Sequence, residues 1–69
     1  MNAEKRLEKV REHIEIAYGH DNFRVRELEN TEEKVKAVVS TYFTDKERTM
    51  EFVFGGGNIT KVKKLGEEP

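Results

Sequence analysis

The chain has no cysteine anywhere in its 69 residues. Disulfide staples are thereby excluded, as are the common cysteine-containing zinc sites. His13 and His20 are the only imidazoles left to ligate a metal, and no cofactor motif stands out. Tryptophan is missing and aromatic residues make up 9% of the chain, so base-stacking platforms are scarce. Charge of one sign is also lacking. Thirteen basic residues stand against fourteen acidic ones, for a formal net charge of −1. That balance excludes bulk attraction to nucleic acid or to an anionic membrane. Apolar runs are only a few residues long, too short for any segment to span a bilayer. The opening MNAEKRLEKV is charged where a signal peptide would be apolar. The expected location is the cytoplasm. At this size a single core contributes about 3–5 kcal/mol of net stability. Without staples the domain is expected to rely on well-matched local structure, on self-association, or on both.

What is present is dense, alternating charge, 39% of the residues, laid over two kinds of periodicity. Ala3, Leu7, Val10, Ile14, Ala17 and Tyr18 repeat at helical spacing. They predict a helix over about 2–18, with Asn2 as its N-cap and Gly19 as its C-cap residue. Strand patterns follow over about 23–29, 34–43, 48–54 and 59–65, with a frayed tail at 66–69. Lys34 to Phe43 alternates most clearly: Val35, Ala37, Val39 and Phe43 share one face, and Lys36, Val38 and Tyr42 share the other. Phe23 and Val25 alternate, but Leu28 falls out of phase, which predicts a bulge near Glu27. Gly55-Gly56-Gly57-Asn58 supplies the positive φ angles of a tight hairpin. The short connections join antiparallel neighbours. The expected fold is therefore α+β, a single domain over 1–69 with one N-terminal helix packed on a three- to four-stranded antiparallel β-meander.

Few motifs carry chemistry. The glycine run lies between two strands and lacks the Gly-Lys-Ser/Thr ending of a phosphate loop, so it reads as a turn. GGGNITKVKK, residues 55–64, is similar to the glycine-then-lysine stretch of double-stranded-RNA-binding domains, whose lysines open a second long helix where this pattern reads as a strand. The layout of helix, strands and glycine turn is similar to that of PepSY-type modules, and layout alone implies no function. His20 and Asp21 are adjacent in a loop with no nucleophile to serve. The expectation is that the protein is not an enzyme and has no catalytic, metal or cofactor residues.

Three surfaces remain. Glu4, Glu8 and Glu12, with Ile16 beside them, form an acidic ridge on the outer side of the helix. Like charges four apart cost roughly 0.2–0.5 kcal/mol per pair, which would suit a basic partner, but Lys5-Glu8 and Lys9-Glu12 offset much of that cost and a solvated face is the favoured reading. Val38, Tyr42 and Val53, with Leu28 and Val62, are expected on the sheet face that one helix leaves uncovered, as a contact patch for a protein partner or a second copy of the chain. Lys61, Lys63 and Lys64 form a basic cluster for the alternative, a small nucleic-acid-binding module. The leading expectation is a non-enzymatic protein-binding or regulatory module, an accessory subunit or inhibitor acting by protein–protein contact, with nucleic acid and membrane disfavoured as partners.

Overall fold

A computed structural model describes residues 2–19, 22–42 and 46–67. The helix α1 spans Ala3–Tyr18 and is followed by four strands, β1 (Phe23–Asn30), β2 (Lys34–Thr41), β3 (Glu47–Gly55) and β4 (Asn58–Glu67). Every strand pairs antiparallel with the next, in the order β1-β2-β3-β4. The architecture is the α+β helix-plus-meander. Phe43, His20 and Asp21 lie outside the described residues. The fourth strand runs beyond the expected limit, and its backbone pairs Gly66 with Thr49 and Glu67 with Arg48.

Local chemistry fixes the ends of the elements. The Asn2 side chain accepts the Lys5 backbone N–H at 2.9 Å, satisfying one of the helix's orphan donors. Gly19 ends the helix at φ 92°, and its N–H donates to the Glu15 carbonyl at 2.8 Å. That φ, with Asn22 Nδ2 2.8 Å from where a Cβ would stand, requires glycine there. Between β1 and β2, the Thr31 hydroxyl accepts from the backbone N–H of Glu33 and Lys34 and closes the turn.

The β3–β4 turn is a two-residue hairpin. Gly55 pairs with Asn58, and the central Gly56 and Gly57 have φ of 61° and 83°. Positive φ at both central positions is the pattern that favours Asn-Gly. Gly56 has open space around its missing Cβ. Gly56→Asn is therefore expected to raise stability by about 0.5 kcal/mol, by narrowing the unfolded ensemble at a position where Asn tolerates the left-handed region. Gly57→Ala is expected to lower it by about 1 kcal/mol. Urea-induced unfolding of the two variants measures both effects.

The core is built where the helical stripe meets one face of the sheet. Val10 and Ile14 of α1 pack with Val35, Val39, Met50, Phe52 and Phe54, and Tyr18, Phe23, Val25, Ile59 and Val62 close around them. Two details differ from the expected stripe. Ala3 and Ala17 are exposed, while Arg6 is buried, 7% exposed. Its Nε donates to Asn30 Oδ1 at 2.6 Å. Asn30 Nδ2 in turn donates to the Ala3 carbonyl at 2.9 Å and to Glu27 Oε1 at 2.7 Å. This network ties the first turn of α1 to the end of β1, and it makes burial of the charge tolerable because the guanidinium is hydrogen-bonded.

The second difference is Val62, which was expected on the far face. A bulge between Val53 and Phe54 shifts the β3–β4 register, so Phe52 pairs with Val62 and Phe54 with Ile59. Val62 thereby joins the helix side of the sheet, half-buried against the core. A bulge also falls between Glu27 and Glu29, as the phase break predicts, and leaves Leu28 exposed and without a partner on β2. Bulges and charges on both outer strands blunt edges that would otherwise template further pairing.

Candidate interaction face

The side of the sheet away from α1 is covered by no described element. Strand alternation and register assign its residues. Arg24 and Arg26 of β1 lie opposite Ser40 and Val38 of β2, and Lys36 lies opposite Glu29. On β3, Glu47, Thr49, Glu51 and Val53 lie opposite Ser40, Val38, Lys36 and Lys34. On β4, Lys61 and Lys63 lie opposite Val53 and Glu51. Six basic side chains and three glutamates therefore share this face. In a chain of formal net charge −1, this face therefore carries +3.

Within the face the charges are ordered. Lys34 Nζ is 3.4 Å from Glu51 and 3.7 Å from Glu29, and Lys63 Nζ is 3.9 Å from Glu51. The hydrogen bond to Glu51, then the field of Glu29, raises the Lys34 ammonium above its usual pKa. The Arg24 guanidinium lies 4.8 Å from the centre of the Tyr42 ring, a cation–π contact that sets both side chains at one corner.

The expected apolar patch takes a different form. Val38 is on this face but only 8% exposed, and Val53 is half-buried. No described element lies above Val38, so its shielding comes from its own face, where Arg26 stands directly across from it and long basic side chains can cover apolar atoms with their aliphatic stems. Tyr42 alone of the three is well exposed, at 57%. The contact character of the face is thus polar and cationic, with one aromatic. Alternation along β2 made the face legible, whereas shielding depends on which long side chains flank Val38 across two strands.

The other sequence-predicted positions lie elsewhere. Glu4, Glu8 and Glu12 are exposed on the outer side of α1, and Ile16 beside them is 87% exposed. The lysine cluster is divided: Lys61 and Lys63 face away from α1, while Lys64, opposite Met50, is on the helix side. A cleft of ≈ 300 Å³ opens between Arg6, Glu32, Phe54 and the Gly55–Gly57 turn. A shallower one of ≈ 240 Å³ runs along Lys9, Glu12, His13 and Ile16 beside Asn58 and Ile59. Neither brings a nucleophile and a base together. No three His, Asp or Glu residues converge as a metal site among the described residues. His13 stands edge-on to Phe52, with ring centroids 5.9 Å apart, and so belongs to the rim of the core.

Among the described residues, no helix is long and apolar enough to cross a membrane. No protein family, curated protein or solved structure matches the chain.

Proposed function

We propose that the domain is a small non-enzymatic binding module, an accessory subunit or inhibitor that acts by protein–protein contact through the open face of its sheet. The observation that carries this reading is the face itself: four strands on which no described element packs, ordered by ion pairs at Glu51 and by the Arg24–Tyr42 contact. A sheet held on one side by a helix and uncovered by described residues on the other offers a flat platform, which suits recognition better than chemistry, because neither described cleft gathers a nucleophile and a base. The alternative, nucleic-acid binding, draws support from Lys61 and Lys63 sharing the face with Arg24, Arg26, Lys34 and Lys36. It is weakened by the glutamates set among them.

Site-specific photo-crosslinking tests the reading. Para-benzoylphenylalanine at Tyr42, on the open face, should give protein adducts in native lysate that excess unlabelled domain competes away. The same probe at Glu8, on the outer side of α1, should give none. Adducts confined to the Glu8 probe, or nucleic acid in place of protein at the Tyr42 probe, would count against it.

A further inference from the structure

The six cations of the open face are not equivalent. Lys34 and Lys63 are already held by carboxylates. Among the described residues, Arg26 and Lys36 make no ion pair, although Glu29 and Glu51 lie across from Lys36, and Arg24 is engaged by the Tyr42 ring. These three cluster on the β1–β2 half of the sheet, around Val38. Arg26 is directly across from Val38, Arg24 across from Ser40, and Lys36 is the next residue on that face along β2. Neighbours two apart on a strand stand about 6.6 Å apart, and diagonal cross-strand neighbours about 7–8 Å. The result is a compact triangle of cations that no described carboxylate holds in an ion pair, floored by a shielded valine and edged by the Tyr42 ring and the Ser40 hydroxyl.

Resting on the reading of the open face as the contact surface, we infer that this β1–β2 half docks an acidic segment of a partner protein, with its carboxylates on Arg24, Arg26 and Lys36. Charge complementarity selects the occupant. A guanidinium presents a planar fork that matches a carboxylate in bidentate fashion, and stacking on Tyr42 orients the Arg24 fork before binding. A nucleic-acid backbone fits less well, because it needs a continuous basic track with free aromatic faces. Here Glu47 and Glu51 on β3 separate the β1–β2 cations from Lys61 and Lys63, and the Tyr42 ring is already in contact with Arg24. A second copy paired about a two-fold axis centred on this triangle would set Arg24, Arg26 and Lys36 against one another, so like charges would oppose that dimer. A purely apolar partner finds Val38 shielded. Since the whole chain carries −1, overall charge does not draw in an anion, and attraction to one is local to this triangle.

Fluorescence anisotropy with the full chain tests the inference, using labelled decaglutamate and a labelled ten-residue thymidine oligonucleotide at about 50 and 200 mM salt. Two double variants remove equal charge from the same face: Arg24→Gln with Arg26→Gln, and Lys61→Gln with Lys63→Gln. Decaglutamate affinity is expected to fall roughly tenfold or more in the arginine pair and less than roughly threefold in the lysine pair. Lys36→Gln alone, which leaves the Arg24–Tyr42 contact in place, should also weaken it, with circular dichroism confirming that each variant is folded. Equal losses in both pairs, tighter binding of the oligonucleotide, or a dimer in sedimentation that the arginine pair abolishes would overturn the inference. If Tyr42 crosslinks to a protein but decaglutamate does not bind, the acidic-segment inference fails and the open face remains the contact surface. If neither occurs, both fail.

Discussion

A chain carrying Ile14→Asp is expected to be unfolded at 25 °C. Ile14 is 1% exposed and lies in the core cluster with Val10, Val35, Val39 and Phe52. Burying an isoleucine side chain contributes about 1.5–3 kcal/mol, and its loss leaves a void as well. The aspartate then places a carboxylate where none of these core side chains can donate a hydrogen bond. The group must either stay charged at large cost or take up a proton, and both penalties add to the lost packing. Together they exceed about 4 kcal/mol, the upper range for single substitutions. A domain of this size with one core has about 3–5 kcal/mol in total. Far-ultraviolet circular dichroism should show loss of helix and sheet together and no cooperative thermal transition. A melting curve like that of the parent chain would mean that α1 does not dock through this face. Ile16→Asp is the matched control: at 87% exposed it should leave the transition nearly unchanged.

The contrast between Ile14 and Ile16 shows what was legible in the sequence. Helical spacing separates the two positions by face, because residues 10 and 14 repeat on one stripe and residue 16 stands well round the helix from it. Strand alternation in Val35 to Val39 assigned the two faces of β2 in the same way. The bulge at Leu28 was readable because it breaks a period of two. The fourth strand was harder. Its apolar residues, Ile59, Val62 and Leu65, are spaced by three, and that spacing becomes a strand only once two register shifts, flanking Phe54 and Met50, are allowed for. Val62 was placed on the wrong face for that reason, since one inserted residue turns over everything that follows.

Burial of Arg6 was illegible for a different reason. An arginine in a charged run, EKRLEK, reads as surface. Its burial depends on Asn30, 24 positions away, which accepts from Nε and links onward to Glu27 and the Ala3 carbonyl. Long-range polar partners leave no periodic trace. The same holds for the open face. Six cations from three strands converge there only after three pairings are known, whereas the local cluster at Lys61, Lys63 and Lys64 proves to be divided between faces. The sequence shows the charges and the fold sorts them, leaving the side opposite the helix at +3 in a chain of net −1.

Phe52→Ala is expected to have the largest effect of any truncation in the sheet. Phe52 is fully buried and is the largest such side chain. It stands on the inner strand β3 between Val35 of β2 and Val62 of β4, with the His13 ring edge-on above it. It therefore touches the helix and both neighbouring strands, and its removal loosens three elements at once. Phenylalanine-to-alanine changes in cores cost about 3–5 kcal/mol, from lost transfer energy plus the cavity that remains. For a domain of 60–100 residues each kcal/mol lowers the melting midpoint by about 4–8 °C, so a fall of more than about 12 °C is expected, or outright unfolding. Phe52→Leu separates the cavity from the chemistry: it keeps an apolar group of smaller volume and should cost less than half as much, about 1–1.5 kcal/mol. The His13 contact can be isolated by a double-mutant cycle with His13→Ala, with an expected coupling of about 0.5–1 kcal/mol for an edge-to-face pair. Thermal and urea unfolding of the parent, Phe52→Ala, Phe52→Leu, His13→Ala and the Phe52→Ala/His13→Ala double variant give all of these values. If Phe52→Ala melted within a few degrees of the parent, the centre of the core would lie elsewhere than beneath His13.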